Sequence, residues 1–193
     1  MLNVTGSHSR DKKTTSIYQR VKANTNPNCF GFAGTHVLYC SLSRETVARM
    51  IVKHIEKTYI QIVNPQDKHA KPLNYLYFRC LTKPVITLER YVHELVVKGL
   101  CSQEAMIMAV FLLGKLDAKQ INELTIHRLL LLSLVISSKF WDDFYVSNKK
   151  FASNGGVSLY ELNKLEWSMM EMLGFDVWVS QTDFESTFTL IVT

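Results

Sequence analysis

Between residues 84 and 174 the apolar positions follow the three-to-four-residue rhythm of helices, and polar or glycine residues fall where helices need ends. Thr87 caps a helix predicted to run to about Lys98, and Gly99 ends it. Ser102 opens a second over Gln103–Leu116, with Glu104 favourably placed against the positive helix end. Thr125 opens a third, Ile126–Trp141, which is apolar nearly all round between His127-Arg128 and Lys139. A helix of that kind is the buried centre of a bundle. Its Ser133 and Ser137 lie four apart and form a small-residue strip that admits a close neighbour. A shorter helix, Phe144–Asn154, stops at Gly155-Gly156. Ser158 and Glu161 make a capping box for a fifth, Leu159–Leu173, ended by Gly174.

Upstream, Ser43 caps a run with Val47, Met50, Ile51, Ile55, Tyr59 and Ile62 at helical spacing up to Asn64-Pro65. Residues 65–83 read as an irregular connector holding an apolar knot at Tyr75–Phe78. Neither β-alternation nor an internal repeat is present. The expected fold class is all-α: five consecutive helices around a central third, with one extra N-terminal helix packed outside.

Composition narrows the function classes. Hydrophobic residues make up 47% and charged residues 20% of 193, ordinary for a globular chain. The longest apolar runs, Leu129–Leu132 and Leu134–Ile136, are far short of the roughly 20 residues of a membrane span. Residues 1–30 carry five basic residues and no apolar h-region, so they do not read as a secretory signal. Of the net charge of +5, residues 1–34 hold +4, five Lys/Arg against Asp11, which leaves the folded part near neutral. A basic tail can meet nucleic acid or an acidic partner, but a solvated terminus is the better reading, and nucleic acid is not the expected partner. Cys29, Cys40, Cys80 and Cys101 form no CxxC pair and read as reduced thiols.

The polar residues that invite a chemical reading have plain alternatives beside it. Asp142-Asp143 is an acid/base or metal pair on one view and a helix-start cap on another, with no His or third carboxylate at ligand spacing. Asn154-Gly155-Gly156 lacks the surroundings of a phosphate-binding loop and reads as a tight turn. His127, at a helix start beside Thr125, reads as structural. Met106, Met108, Met169, Met170 and Met172 are core fillers or the margin of an adaptable groove.

One string of spaced residues is more specific. Lys139-Phe140-Trp141-Asp142-Asp143, then Ser147-Asn148, Phe151-Ala152, Gly155-Gly156 and Glu161-Leu162-Asn163-Lys164-Leu165-Glu166 resemble the cyclin box, in the form found in phosphate-signalling (P-type and U-type) cyclins. Pro84-Val85-Ile86-Thr87, Tyr91 and His127-Arg128-Leu129-Leu130 resemble the start of that box and of its third helix. The likeness spans roughly residues 45–185. It divides the chain into a flexible basic tail (1–42), an N-terminal helix and connector (43–83), a single cyclin box (84–180) and a C-terminal tail (181–193). Any second domain after Phe184 and Phe188 is expected to be absent or removed.

The resemblance implies a regulatory subunit that binds and activates a cyclin-dependent protein kinase and sits in the cytoplasm, the nucleus or both. It implies no catalytic residues, no cofactor or metal, no small-molecule substrate and no membrane partner. It assigns the kinase contact to Lys139, ending the third box helix, and Glu166, on the fifth. Leu162 and Met169, on the Glu166 stripe, are placed with them, and Asp143 is placed against the kinase activation segment. A lysine supplies three donors and a carboxylate only acceptors, so the pair suits the C=O and N–H groups of a partner backbone.

Two features depart from the family. Glu94 stands where many cyclins have an arginine, and Leu112-Leu113-Gly114-Lys115 replaces a Y-x-D-R stretch, so a swapped Glu94–Lys115 pair is expected. The MRAIL substrate-docking motif is missing. The alternative from another class is a cyclin-fold transcription factor or DNA-binding adaptor. Those proteins use two boxes and strongly basic faces, whereas this chain has one box and its basic charge in the tail.

Overall fold

A computed structural model describes residues 42–60, 73–144 and 146–193. The expected tail therefore lies outside the described residues except for Leu42, as does the connector stretch 61–72. The main folded unit is Arg44–Val192. Its helices are α1 (Arg44–Ile55, continued by a π-turn Glu56–Ile60), α2 (Leu73–Leu76), α3 (Leu88–Val97), α4 (Gln103–Gly114), α5 (Ile126–Trp141), α6 (Asn148–Gly155), α7 (Leu159–Met172) and α8 (Gln181–Val192), with a 3₁₀ turn at Ala118–Gln120. No strand occurs among the described residues.

The all-round apolar helix is the centre, as its pattern requires. Every residue of α5 from Leu129 to Ser138 is buried, enclosed by α4, α6 and α7, with α4 sharing the largest interface. Burial forces the hydroxyls of α5 inward as well. Ser133 satisfies its own by donating to Leu129 O at 2.9 Å. Ser137 Oγ finds no partner among the described residues.

The caps explain most helix starts. Thr87, Ser102, Ser147 and Ser158 each accept a hydrogen bond from the backbone N–H three residues on. Thr125 does not cap α5. Its hydroxyl turns back into the preceding loop, donating to Gln120 O and accepting from Asn122 N at 2.8 and 2.9 Å. The Gly155-Gly156 stop of α6 has two separate causes. Gly156 is left-handed, φ +71°, which costs a residue with a Cβ more than glycine. At Gly155 an added Cβ would lie 2.3 Å from a Leu131 methyl, so a larger residue would force this core leucine to move.

Three further expectations change. Phe144, Val146 and Ser147 are not helical: α6 begins at Asn148 because Ser147 is the residue that caps it. The C-terminal tail is instead the helix α8, which packs on α1 and α4 and buries Thr187, Phe188 and Ile191. Ser180 and Asp183 open it as a reciprocal capping box, with Asp183 N to Ser180 Oγ and Ser180 N to Asp183 Oδ2 both at 3.2 Å. Finally, Glu94 and Lys115 do not pair. Glu94 takes Arg90, one turn back on its own helix, and Lys115 takes Asp176 beyond α7, each at 2.8 Å. The two side chains turn toward different neighbours, and α3 packs on α1 and α6 rather than along α4.

If α8 belongs to the fold, truncating its one fully buried aromatic must cost as much as a core deletion. Phe188→Ala is expected to destabilise the chain by about 3–5 kcal/mol in chemical denaturation. A loss below about 1 kcal/mol is what a loosely attached tail predicts.

Candidate partner-binding face

Lys139 and Phe140 stand where the buried helix reaches the surface: α5 is covered through Ser138, and these next two residues are exposed. Lys139 Nζ lies 2.6 Å from Glu166 Oε1 of α7, with the side chains 31% and 20% accessible. The other oxygen, Glu166 Oε2, accepts from Asn148 Nδ2 at 2.7 Å. The same amide nitrogen donates to Asn163 Oδ1 at 2.8 Å. Three helices thus converge on one carboxylate, which meets the cost of placing it at the margin of an apolar stripe.

Beside this polar knot is an aromatic cluster. Phe140 stands edge-on to Trp141 and Trp178, at centroid distances of 5.5 and 6.5 Å, and Trp141 lies 5.6 Å from Trp178. Phe140 and Trp178 remain 48% and 62% exposed. Trp178 comes from the segment between α7 and α8, which Lys115 holds by its bonds to the Asp176 carboxylate and main-chain oxygen, at 2.8 and 2.9 Å. That ammonium keeps the Asp176 carboxyl below its usual titration range.

The acidic pair divides its labour. Asp142 Oδ2 accepts the N–H of Ser102, the N-cap of α4, at 3.1 Å, so it ties the end of α5 to the start of α4. Asp143 is exposed and makes no hydrogen bond or ion pair among the described residues. It is not a helix-start cap, because α6 begins five residues later. Both line a cleft of about 390 Å³ together with Arg44, Cys101, Ser102, Trp141 and Phe144.

Leu162 and Met169, expected on the partner surface, are both 0% exposed and belong to the core. Their stripe faces α5; Glu166 lies at its edge. Sequence reasoning gave no role to Asn148 or Trp178. Asn148 lay within the motif but showed its function only through contact, and Trp178 lay outside every helical pattern.

The remaining candidates are structural. His127 Nε2 donates to Ile86 O at 3.1 Å while its ring meets the edge of Tyr91, and burial depresses its basicity. Tyr91 in turn donates to Gly155 O at 3.1 Å, and burial raises its phenol well above the ordinary range. Arg128 joins Glu161 at 2.6 Å and donates to Tyr77 O at 3.1 Å. The Cys101 thiol is buried and pushed up to about 12, which leaves it unreactive. Among the described residues no three His, Cys, Asp or Glu side chains gather as a metal site, and no helix is long and apolar enough to cross a membrane.

The different duties of the two aspartates are separable by stability. Asp142→Ala is expected to lower the unfolding free energy by about 1 kcal/mol, the usual cost of a lost cap bond. Asp143→Ala should stay within about 0.5 kcal/mol of the unaltered chain. Equal losses in urea titrations contradict this assignment.

A family model described as Cyclin matches residues 7–177. Among curated relatives, Cyclin-U4-1 of Arabidopsis thaliana is 32% identical over 118 residues, 59% of this chain and 58% of that protein. Cyclin-P4-1 of Oryza sativa subsp. japonica is 33% identical over 113 residues, 56% of this chain and 53% of its own length. Cyclin-P1-1 of the same rice reaches 45% over 60 residues, 31% and 23% of the two chains. The chain thus spans roughly half of the length of the curated relatives it matches. With an all-helical box built around a buried α5 and a match over most of its residues, the chain belongs to the cyclin family, among relatives of the U and P types.

Proposed function

We propose that this cyclin is the regulatory subunit of a cyclin-dependent protein kinase and binds it through the face formed by the ends of α5 and the middle of α7. The observation that carries the reading is the Lys139–Glu166 pair, followed in the chain by Phe140, whose exposed ring packs on Trp178. Apolar aromatics supply most of the affinity of such interfaces, while charged hydrogen-bonding groups at their margin fix orientation. Lys139 retains donors and Glu166 retains acceptor lone pairs for a partner's main chain. Their mutual ion pair holds both in place before the partner arrives.

Activation on this reading is a population shift in the kinase. The cyclin face holds the kinase αC helix inward, which completes the Lys–Glu ion pair that positions ATP phosphates. Asp143, exposed and without a partner among the described residues, is placed to pair with an arginine of the kinase activation segment. ATP and its Mg²⁺ belong to the kinase, and a P-type role in nutrient signalling or cell-cycle control is the reading that the resemblance of the box motifs supports.

The test is affinity capture from cell extract with mass-spectrometric identification of the retained kinase. The unaltered chain should retain a cyclin-dependent kinase. Lys139→Ala or Glu166→Ala should weaken that binding by about 2–4 kcal/mol, as loss of a charged hot spot does. Full retention by the double variant overturns the assignment of the face. Asp143→Ala should leave binding measurable yet lower kinase activity at saturating cyclin; unchanged activity per complex removes Asp143 from the mechanism.

A further inference from the structure

We infer that Asn148 is the positioning residue of this face: its side-chain amide fixes the Glu166 carboxylate in the orientation a kinase main chain requires. The inference rests on the kinase-binding reading above and adds to it a residue of α6, a helix that otherwise meets the pair only through packing. A carboxylate offers about four acceptor positions. Lys139 occupies one on Oε1 and Asn148 one on Oε2, at 2.6 and 2.7 Å, so one position on each oxygen is left for a partner. A carboxylate gripped on both oxygens does not rotate, and the ordering cost that binding otherwise carries is met in the free protein.

The orientation of the amide is itself determined. Nδ2 donates to two acceptors, Asn163 Oδ1 and Glu166 Oε2, and a flipped amide would set Oδ1 against both. The arrangement sacrifices stability. Asn148 Oδ1 is buried and has no hydrogen-bond partner among the described residues. A buried acceptor without a donor is disfavoured, and native proteins keep few of them. A residue selected only to start α6 has no need of this, since Asp at the same helix end is favoured by the helix dipole and satisfied by water.

The geometry also links the two halves of the face. Asn148 is the first residue of α6, directly after the segment that carries Asp143 and Phe144. Its grip on Glu166 therefore anchors the end of that segment to α7.

The experiment titrates the recombinant kinase identified in the capture experiment against purified cyclin variants by calorimetry, with a thermal melt of each variant. Asn148→Ala should weaken binding about tenfold, the consequence of losing one charge-assisted hydrogen bond of about 1.4 kcal/mol. Asn148→Asp keeps the size but replaces the donor with a carboxylate oxygen, and its melt reports the repulsion separately from binding. It should bind more weakly, because it turns an acceptor toward Glu166. In a Glu166→Ala background, Asn148→Ala should cost nothing further. Binding within about twofold for Asn148→Ala, while Glu166→Ala weakens it strongly, overturns the positioning role and leaves the kinase face intact. A loss that persists in the Glu166→Ala background also overturns it, as does Asn148→Asp binding as tightly as the unaltered chain. If Glu166→Ala itself binds normally, both the face and the inference fall.

Discussion

The structure depends on one constraint: α5 has no polar side wide enough to face water, so α4, α6 and α7 are placed by the need to cover it. From Leu129 to Ser138 the cover is complete. At Lys139 it ends, and the first residues past the cover are a cation and an aromatic ring. The chemistry of the face is thus set by where the core stops. Lys139 must find a partner near the rim, and Glu166 at the edge of the α7 stripe supplies it.

Coverage of α5 demands close approach, and the sequence meets that demand at single positions. Gly155 is the clearest, since a Cβ there would push the buried Leu131 side chain aside. Ending α6 against α5 in this way brings its other end, Asn148, to Glu166. Asp142 secures the opposite side by holding the start of α4. The pair on the surface is therefore braced by contacts whose first purpose is to pack the bundle, which is how a rigid scaffold positions a binding site.

Most ends of the box helices were legible because they are written in local chemistry, Ser or Thr before and glycine after. The helix α5 was legible from its apolar run instead, since Thr125 makes no cap bond and no glycine ends it. The same reasoning reached Lys139, Glu166 and Asp143 only through likeness to a family, since composition gives a lysine and two acids no role. What stayed hidden depended on contacts between distant residues. Periodicity places Leu162 and Met169 near Glu166 but does not say which way the stripe turns, and α5 claims it. Lys115 was read against Glu94 because the helices are neighbours; its reach to Asp176 across the bundle has no sequence signature. The helix α8 was missed for a different reason. Its Thr- and Ser-containing sequence has weak intrinsic preference and is held by burying Phe188 and Ile191, although the Ser180–Asp183 spacing marked its start.

The central claim is that the rim of α5 meets the kinase. A crystal structure of the complex tests it most directly. The account predicts Lys139 Nζ and Glu166 Oε1 or Oε2 within about 3.2 Å of kinase main-chain atoms, with Phe140 and Trp178 buried by the partner. A complex in which the kinase docks elsewhere and leaves Lys139, Glu166 and Trp178 in solvent contradicts it.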